Sequence, residues 1–260
     1  MSTAFPIHDR WVDVLAGLLA EARRLAPEAV FAFDLDSTLL DNRPRQAAIV
    51  RAYGRERGLP ALSGFEARHL HTGFDLRDAL QRHGLGADEV ERLLVDFRPY
   101  WRERFFTSEA CRVDIPVRGA PGYVRRAREA GAQVVYVTAR PEPMRPGTLE
   151  VMERHGFPLP GEGVELAMKG DPDVTDDEFK RGAHRRLAAR GRVTAAFDNE
   201  PGHINDYRAS FPGATAVLVA TGHSGRVTAL AEGVIAVPHL DIGHPRGRSR
   251  GTLTPARRSR

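Results

Sequence analysis

Lysine and cysteine are nearly absent from this chain, and long apolar runs do not occur in it. One cysteine, Cys111, in 260 residues excludes an intramolecular disulfide framework and a multi-cysteine zinc site. No apolar run approaches the roughly 20 residues that a membrane-spanning helix needs. The N-terminus sets Asp9 and Asp13 close to its apolar positions and has no basic segment ahead of them, unlike a secretory signal. The expectation is a soluble, cytoplasmic protein. No G-x-x-x-x-G-K-[ST] occurs, so ATP is not expected to be held by a P-loop. Of 38 basic residues only Lys169 and Lys180 are lysine, which leaves two candidates for any chemistry that requires an amine.

What is present is 42% hydrophobic and 28% charged, enough for a buried core. The length suits one large domain or one domain with an insertion. The formal charge is +4, but residues 245–260 hold six arginines and no acid, and without them the chain is slightly acidic. That tail has almost no apolar content and is expected to be disordered. Nucleic acid is expected to meet the chain only there, if at all.

Residues 7–25 place apolar side chains at helical spacing, and Pro27 ends the stretch. Short apolar runs follow at 29–33, 133–137, 164–167, 193–197 and 215–219, with a sixth candidate at 234–237. Helical patterns at 123–130, 148–155, 176–189 and 205–210 separate them. Strands alternating with helices predict an α/β fold with a parallel sheet. The first two strands lie about 100 residues apart, whereas a βαβ unit needs only ~30. The surplus reads as helices over 46–57, 64–82, 87–96 and 98–106, without a strand. It is expected to sit over the carboxyl edge of the sheet, where such folds bind ligands.

The first strand runs into Phe33-Asp34-Leu35-Asp36-Ser37-Thr38. Two carboxylates this close at a strand end repel, so a cation or a shared proton has to offset them, and a hard ion such as Mg²⁺ is the natural counter-charge. The second strand ends in Thr138-Ala139-Arg140, which brings a hydroxyl and backbone N–H groups to the same edge. The fourth ends in Asp198-Asn199-Glu200, and Lys180 opens the helix before it. A carboxylate pair, a hydroxyl, an amine and a further acid on one edge are what phosphoryl transfer needs.

D-x-D-x-T, then Thr138, Lys180 and the Asp-Asn-Glu segment, in that order, resemble the haloacid dehalogenase superfamily over nearly the whole chain. The resemblance implies a Rossmann-like core with strand order 3-2-1-4-5 and an α-helical cap inserted after strand 1. The expected division is a discontinuous core, 1–43 and 112–244, a helical cap, 44–111, and a basic tail, 245–260. Asp34 is implied as the nucleophile that forms an aspartyl-phosphate, and Asp36 as the acid/base. Thr38, Thr138, Ala139 and Lys180 are implied as phosphate-binding. Asp34, the Asp36 carbonyl and Asp198 are implied as Mg²⁺ ligands. The fourth motif departs from the commoner form, since Gly202 stands where a second aspartate is usual. Asn199, Glu200 or Asp206 could supply that second acceptor.

Other features carry less. Gly222-His223-Ser224-Gly225 is similar to a nucleophile elbow, but Arg226 stands where the last glycine belongs, so it reads as a loop. Lys169 reads as a loop residue, Cys111 as packing, and Trp101, Phe105 and Phe106 as core of the insertion. The insertion carries eleven arginines against ten acids, with Tyr53, His69, His71, Arg98 and Arg102 as unranked candidates to meet substrate. The function expected is a Mg²⁺-dependent phosphatase acting on a small phosphorylated metabolite. Alternatives of the same fold are a phosphotransferase or mutase and a nucleic-acid end phosphatase. The alternative from another class is a catalytically silent binding protein acting through its arginine-rich tail.

Overall fold

The first helix, α1 (Trp11–Leu25), turns Leu15, Leu18, Leu19 and Ala22 inward and leads into β1 (Ala29–Phe33), every residue of which is buried. The computed structural model describes residues 5–72, 75–171 and 173–243. Next comes the two-residue strand β2 (Leu40–Asp41), and then the inserted segment with α2 (Arg43–Glu56), α3 (Leu76–Arg82), α4 (Ala87–Phe105) and α5 (Ser108–Cys111). The chain returns through β3 (Ile115–Pro116), which pairs antiparallel with β2: Leu40 faces Pro116 and Asp41 faces Ile115. From there helices and strands alternate: α6 (Ala120–Glu129), β4 (Gln133–Pro141), α7 (Arg145–Arg154), β5 (Val164–Lys169), α8 (Asp176–Arg190), β6 (Arg192–Asp198), α9 (Pro201–Ser210), β7 (Thr215–Val219) and β8 (Ile235–Val237). Among the described residues no helix is long and apolar enough to cross a membrane.

Six strands make one sheet in the order β5-β4-β1-β6-β7-β8, and every pairing in it is parallel. This is the expected 3-2-1-4-5 Rossmann-like order, with a sixth strand added beside the fifth. Alternation along each strand sends side chains to two separate cores. Phe31, Phe33, Tyr136 and Phe197 go to the face covered by α1, α6 and α7. Val30, Ala32, Val135, Val137 and Leu218 go to the face covered by α8 and α9. Phe33 and Phe197 stack with ring centroids 4.5 Å apart, so the central strands β1 and β6 end in register.

The inserted segment has an apolar cluster of its own, including Val50, Tyr53, Phe65, Leu80, Leu94 and Phe97. Two helix expectations there need correction. The predicted helix over 64–82 is a short 3-10 turn, Ala67–His69, followed by α3. Asp75 accepts the backbone N–H groups of His71 and Thr72 at 3.1 Å, a local side-chain bond that competes with helix continuation. The separate helices at 87–96 and 98–106 are one helix, α4, with Pro99 inside it. The buried stripe Val90, Leu93, Leu94, Phe97 and Tyr100 crosses the proline in phase, so packing overrides the break. The tail, 245–260, lies outside the described residues.

Gly119, before α6, has φ +79°, and a Cβ there would stand 2.2 Å from the backbone nitrogen of Asp241. Gly119→Ala combines left-handed strain with overpacking, so unfolding in urea should show a loss of about 2–4 kcal/mol.

Candidate active site

Parallel pairing delivers the ends of β1, β4 and β6 to one edge, and three charged side chains meet there. Asp34 follows β1 directly, and its backbone N–H donates to the Phe197 carbonyl at 2.9 Å. Asp198 closes β6. Lys180 comes from the second turn of α8, whose start is fixed by a capping box. Thr175 Oγ1 accepts the Glu178 N–H, and the Glu178 carboxylate accepts the Thr175 N–H. The Lys180 ammonium donates to Asp34 Oδ1 at 2.6 Å and to Asp198 Oδ2 at 2.8 Å. Asp34 is 7% exposed, Lys180 3% and Asp198 0%. Lys169, the other lysine, pairs with Asp176 away from this group.

The second oxygen of Asp34 accepts from Thr38 Oγ1 at 2.8 Å, and Asn199 Oδ1 lies 3.2 Å from the same hydroxyl. Thr38 thus faces the nucleophile candidate and Asn199. The 35–40 segment curls into a tight turn in which the Leu35 carbonyl accepts from the N–H groups of Thr38, Leu39 and Leu40. Ser37 takes φ +61° in it, a conformation that L residues adopt at a cost and that recurs at functional sites. Thr138 is buried within β4, three residues before its end, and its hydroxyl accepts the Arg140 N–H at 3.2 Å. Ala139 beside it is partly exposed.

Asp36 has other partners. Arg140 grips its carboxylate with Nε at 2.7 Å and Nη2 at 2.8 Å, and Arg45 Nη2 adds a contact at 3.1 Å. Burial alone would raise this carboxyl, but the Arg140 and Arg45 guanidiniums outweigh it and hold Asp36 well below the usual carboxylate range.

The second-acceptor candidates of the fourth motif are engaged elsewhere. Asn199 lies against Thr38, as above, and its Nδ2 donates to the Gly222 carbonyl. Glu200 accepts the Ser224 N–H at 2.6 Å and its hydroxyl at 2.9 Å, which ties down the loop after β7. Asp206 faces Arg181 at 3.4 Å. A further neighbour of Asp198, which the sequence did not mark, is His203. Its Nδ1 lies 3.6 Å from Asp198 Oδ1, and its Nε2 is 2.9 Å from Asp177. Burial disfavours charge on that imidazole, but the nearby Asp198 carboxylate overrides it and raises its pKa to about 9. Only its spacing five residues beyond Asp198 on a helix could have flagged it.

Among the described residues no three His, Cys, Asp or Glu side chains cluster as a ready metal cage. The site offers a cation two buried carboxylates against one ammonium. Burial pushes the Asp34 carboxyl up to about 6; Lys180 opposes this and Asp198 adds to it. This oxygen-only set with one net negative charge fits a hard divalent ion.

A cavity of about 410 Å³ adjoins the turn that follows Asp34, lined by Ser37, Arg43, His71, Thr72, Thr221 and His239 among others. Of the five candidate substrate residues in the insertion, His71 lines it. Tyr53 is buried and donates to Asp96, His69 accepts the Glu66 N–H, and Arg98 and Arg102 are exposed on α4.

No protein-family model matches the sequence, and no curated protein does. Solved structures match it at low identity. A putative phosphatase from Clostridium difficile is 14% identical with a TM-score of 0.48, over 77% of this chain and 88% of that one. A haloacid dehalogenase-like hydrolase from Streptococcus pneumoniae is 14% identical with a TM-score of 0.43, over 75% and 87%. The protein tyrosine kinase A of Mycobacterium tuberculosis is 20% identical with a TM-score of 0.47, over 84% and 96%. At these values the function has to be read from the residues of this chain.

Removing the ammonium would leave two carboxylates buried side by side. Lys180→Met should therefore cost about 3–5 kcal/mol in urea unfolding at neutral pH, whereas Lys169→Met, at a surface pair, should cost no more than about 1 kcal/mol.

Proposed function

We propose that the chain is a phosphoric monoester hydrolase of the haloacid dehalogenase type, working through an aspartyl-phosphate on Asp34. The observation that carries this reading is the Lys180 ammonium held between Asp34 and Asp198 at the carboxyl edge of the sheet, with Thr138 and Asp36 alongside. A lysine there keeps Asp34 ionised for attack and neutralises charge on the incoming phosphoryl group.

In the first half of the reaction an Asp34 oxygen bonds to phosphorus, the bond to the leaving oxygen breaks, and Asp36, which must first take up a proton against the pull of Arg140 and Arg45, passes that proton to the leaving oxygen. In the second half water attacks phosphorus, its proton goes to Asp36, and the bond to Asp34 breaks to release phosphate. Thr138 and the backbone N–H of Ala139 would bind the equatorial oxygens. Asp34, Asp198 and the Asp36 carbonyl would hold Mg²⁺, which supplies charge stabilisation to the phosphoryl oxygens.

The helical segment 44–111 would act as a cap that excludes water and selects the substrate. Its near balance of arginines and acids, and the limited cavity beside Ser37, favour a small phosphorylated metabolite over a long polyanion. A phosphotransferase or mutase would use the same residues with another acceptor in place of water. A nucleic-acid end phosphatase would need the tail, and its turnover of oligonucleotides would fall steeply with salt.

The test is hydrolysis of an aryl phosphate by wild type and Asp34→Asn, with Mg²⁺ and with EDTA. The expected result is Mg²⁺-dependent turnover that drops by at least about a thousandfold in the variant, which stays folded by circular dichroism. A folded wild type that binds no Mg²⁺ and hydrolyses no phosphate ester would sink the catalytic reading and favour a silent binding protein.

A further inference from the structure

Four charged side chains interlock beside the nucleophile turn, and three of them are among the most buried polar groups in the molecule. Arg45 is 1% exposed, Asp114 1% and Arg140 2%. Arg45 Nε donates to Asp114 Oδ1 at 3.0 Å and its Nη2 donates to Oδ2, while Arg140 Nη2 donates to Oδ2 at 2.6 Å. Both guanidiniums also hold Asp36. Their remaining nitrogens are satisfied as well: Arg140 Nη1 by the Thr148 hydroxyl at 3.1 Å, and Arg45 Nη1 by the Phe105 carbonyl at 3.2 Å. Two arginines and two aspartates make the group neutral.

The four residues come from different parts of the chain. Asp36 is on the nucleophile turn and Arg140 at the end of β4, both in the sheet layer. Arg45 is in the first turn of α2, where the chain enters the insertion, and Phe105 ends α4 within it. Asp114 lies just past α5, where the chain comes back. Both crossings of the chain between the insertion and the sheet therefore lie beside this cluster. Burying four charges is a costly way to gain stability, since an apolar group of the same size does as well or better. What such a cluster supplies is a fixed geometry, because a guanidinium fork accepts a carboxylate in one plane.

We infer that Arg45 and Asp114 are positioning residues for Asp36. Asp114 anchors the two guanidiniums, and these set where the Asp36 carboxyl stands relative to the leaving oxygen. Because Arg45 belongs to the insertion, that placement depends on how the insertion sits on the sheet. This rests on the hydrolase reading, and it concerns only the half-step in which Asp36 protonates the leaving group.

Leaving-group dependence separates positioning from general damage. A dinitrophenyl phosphate departs as a stable phenolate and needs little help from an acid; an alkyl phosphate cannot leave without a proton. The variants are Arg45→Met and Asp114→Asn, each also combined with Asp36→Asn. Arg45→Lys, which keeps the charge but loses the fork, is added in case Arg45→Met does not fold.

The expected result is a fall in kcat at least about tenfold larger on the alkyl ester than on the dinitrophenyl ester, with KM little changed. In the Asp36→Asn background the same changes should cost almost nothing more, since a residue that acts through Asp36 has nothing left to act on. Equal losses on both esters, or losses that add to that of Asp36→Asn, would overturn the inference while leaving the hydrolase reading intact. A wild type inactive on both esters would instead defeat the reading beneath it.

Discussion

Two ionised carboxylates cannot be buried at one sheet edge without a cation between them, and in this chain the cation is Lys180. Asp34 and Asp198 are brought together by the pairing of β1 with β6, which the stacked Phe33 and Phe197 rings lock in register. The capping box at Thr175 then aims the second turn of α8 so that one ammonium reaches both acids. In a chain otherwise basic through arginine, the compact ammonium at this point is telling. A guanidinium is broad and planar, whereas an ammonium can bridge two carboxylates and leave their other oxygens to further partners. Those oxygens meet Thr38, the Glu200 N–H and His203, so the site is ordered from several directions at once.

Much of this was legible in the sequence because the informative residues are local to strand ends. The apolar runs located the six main-sheet strands, and the long gap after the first located the helical insertion. The choice of Lys180 over Lys169 followed from its place at the head of a helix, and in the structure Lys180 is the lysine beside Asp34. Arg45, Asp114 and Arg140 were not legible as a group. Each looked like one more charge in a chain full of them, and their partnership spans up to 104 positions. The same holds for His203, whose contact with Asp198 depends on the angle at which α9 leaves the sheet. Helix ends failed where a side chain competed for the backbone, at Asp75, and where packing overrode a breaker, at Pro99.

Asp36 stands where two requirements meet. The proposed chemistry asks one carboxyl to give up a proton and later take one back, while its neighbours favour the ionised form strongly. A carboxylate so held is suited to receiving a proton from water only if its partners yield as it does so. The partial exposure of Asp36, in contrast to the complete burial of Asp114, leaves it the member of the cluster that solvent or substrate can reach.

The ribbon of β2 and β3 also bears on how the chain can assemble. β1 and β4 are neighbours in the sheet yet are separated in sequence by the whole insertion. The ribbon brings the entry and exit of that excursion side by side, so the insertion is a closed loop hung from the sheet. Closure entropy grows only with the logarithm of loop length, and once two short strands have met, the distance that β4 must search to find β1 is that of a small hairpin. The insertion can therefore change in size with little effect on the folding of the sheet, provided that its first turn still brings Arg45 to Asp36.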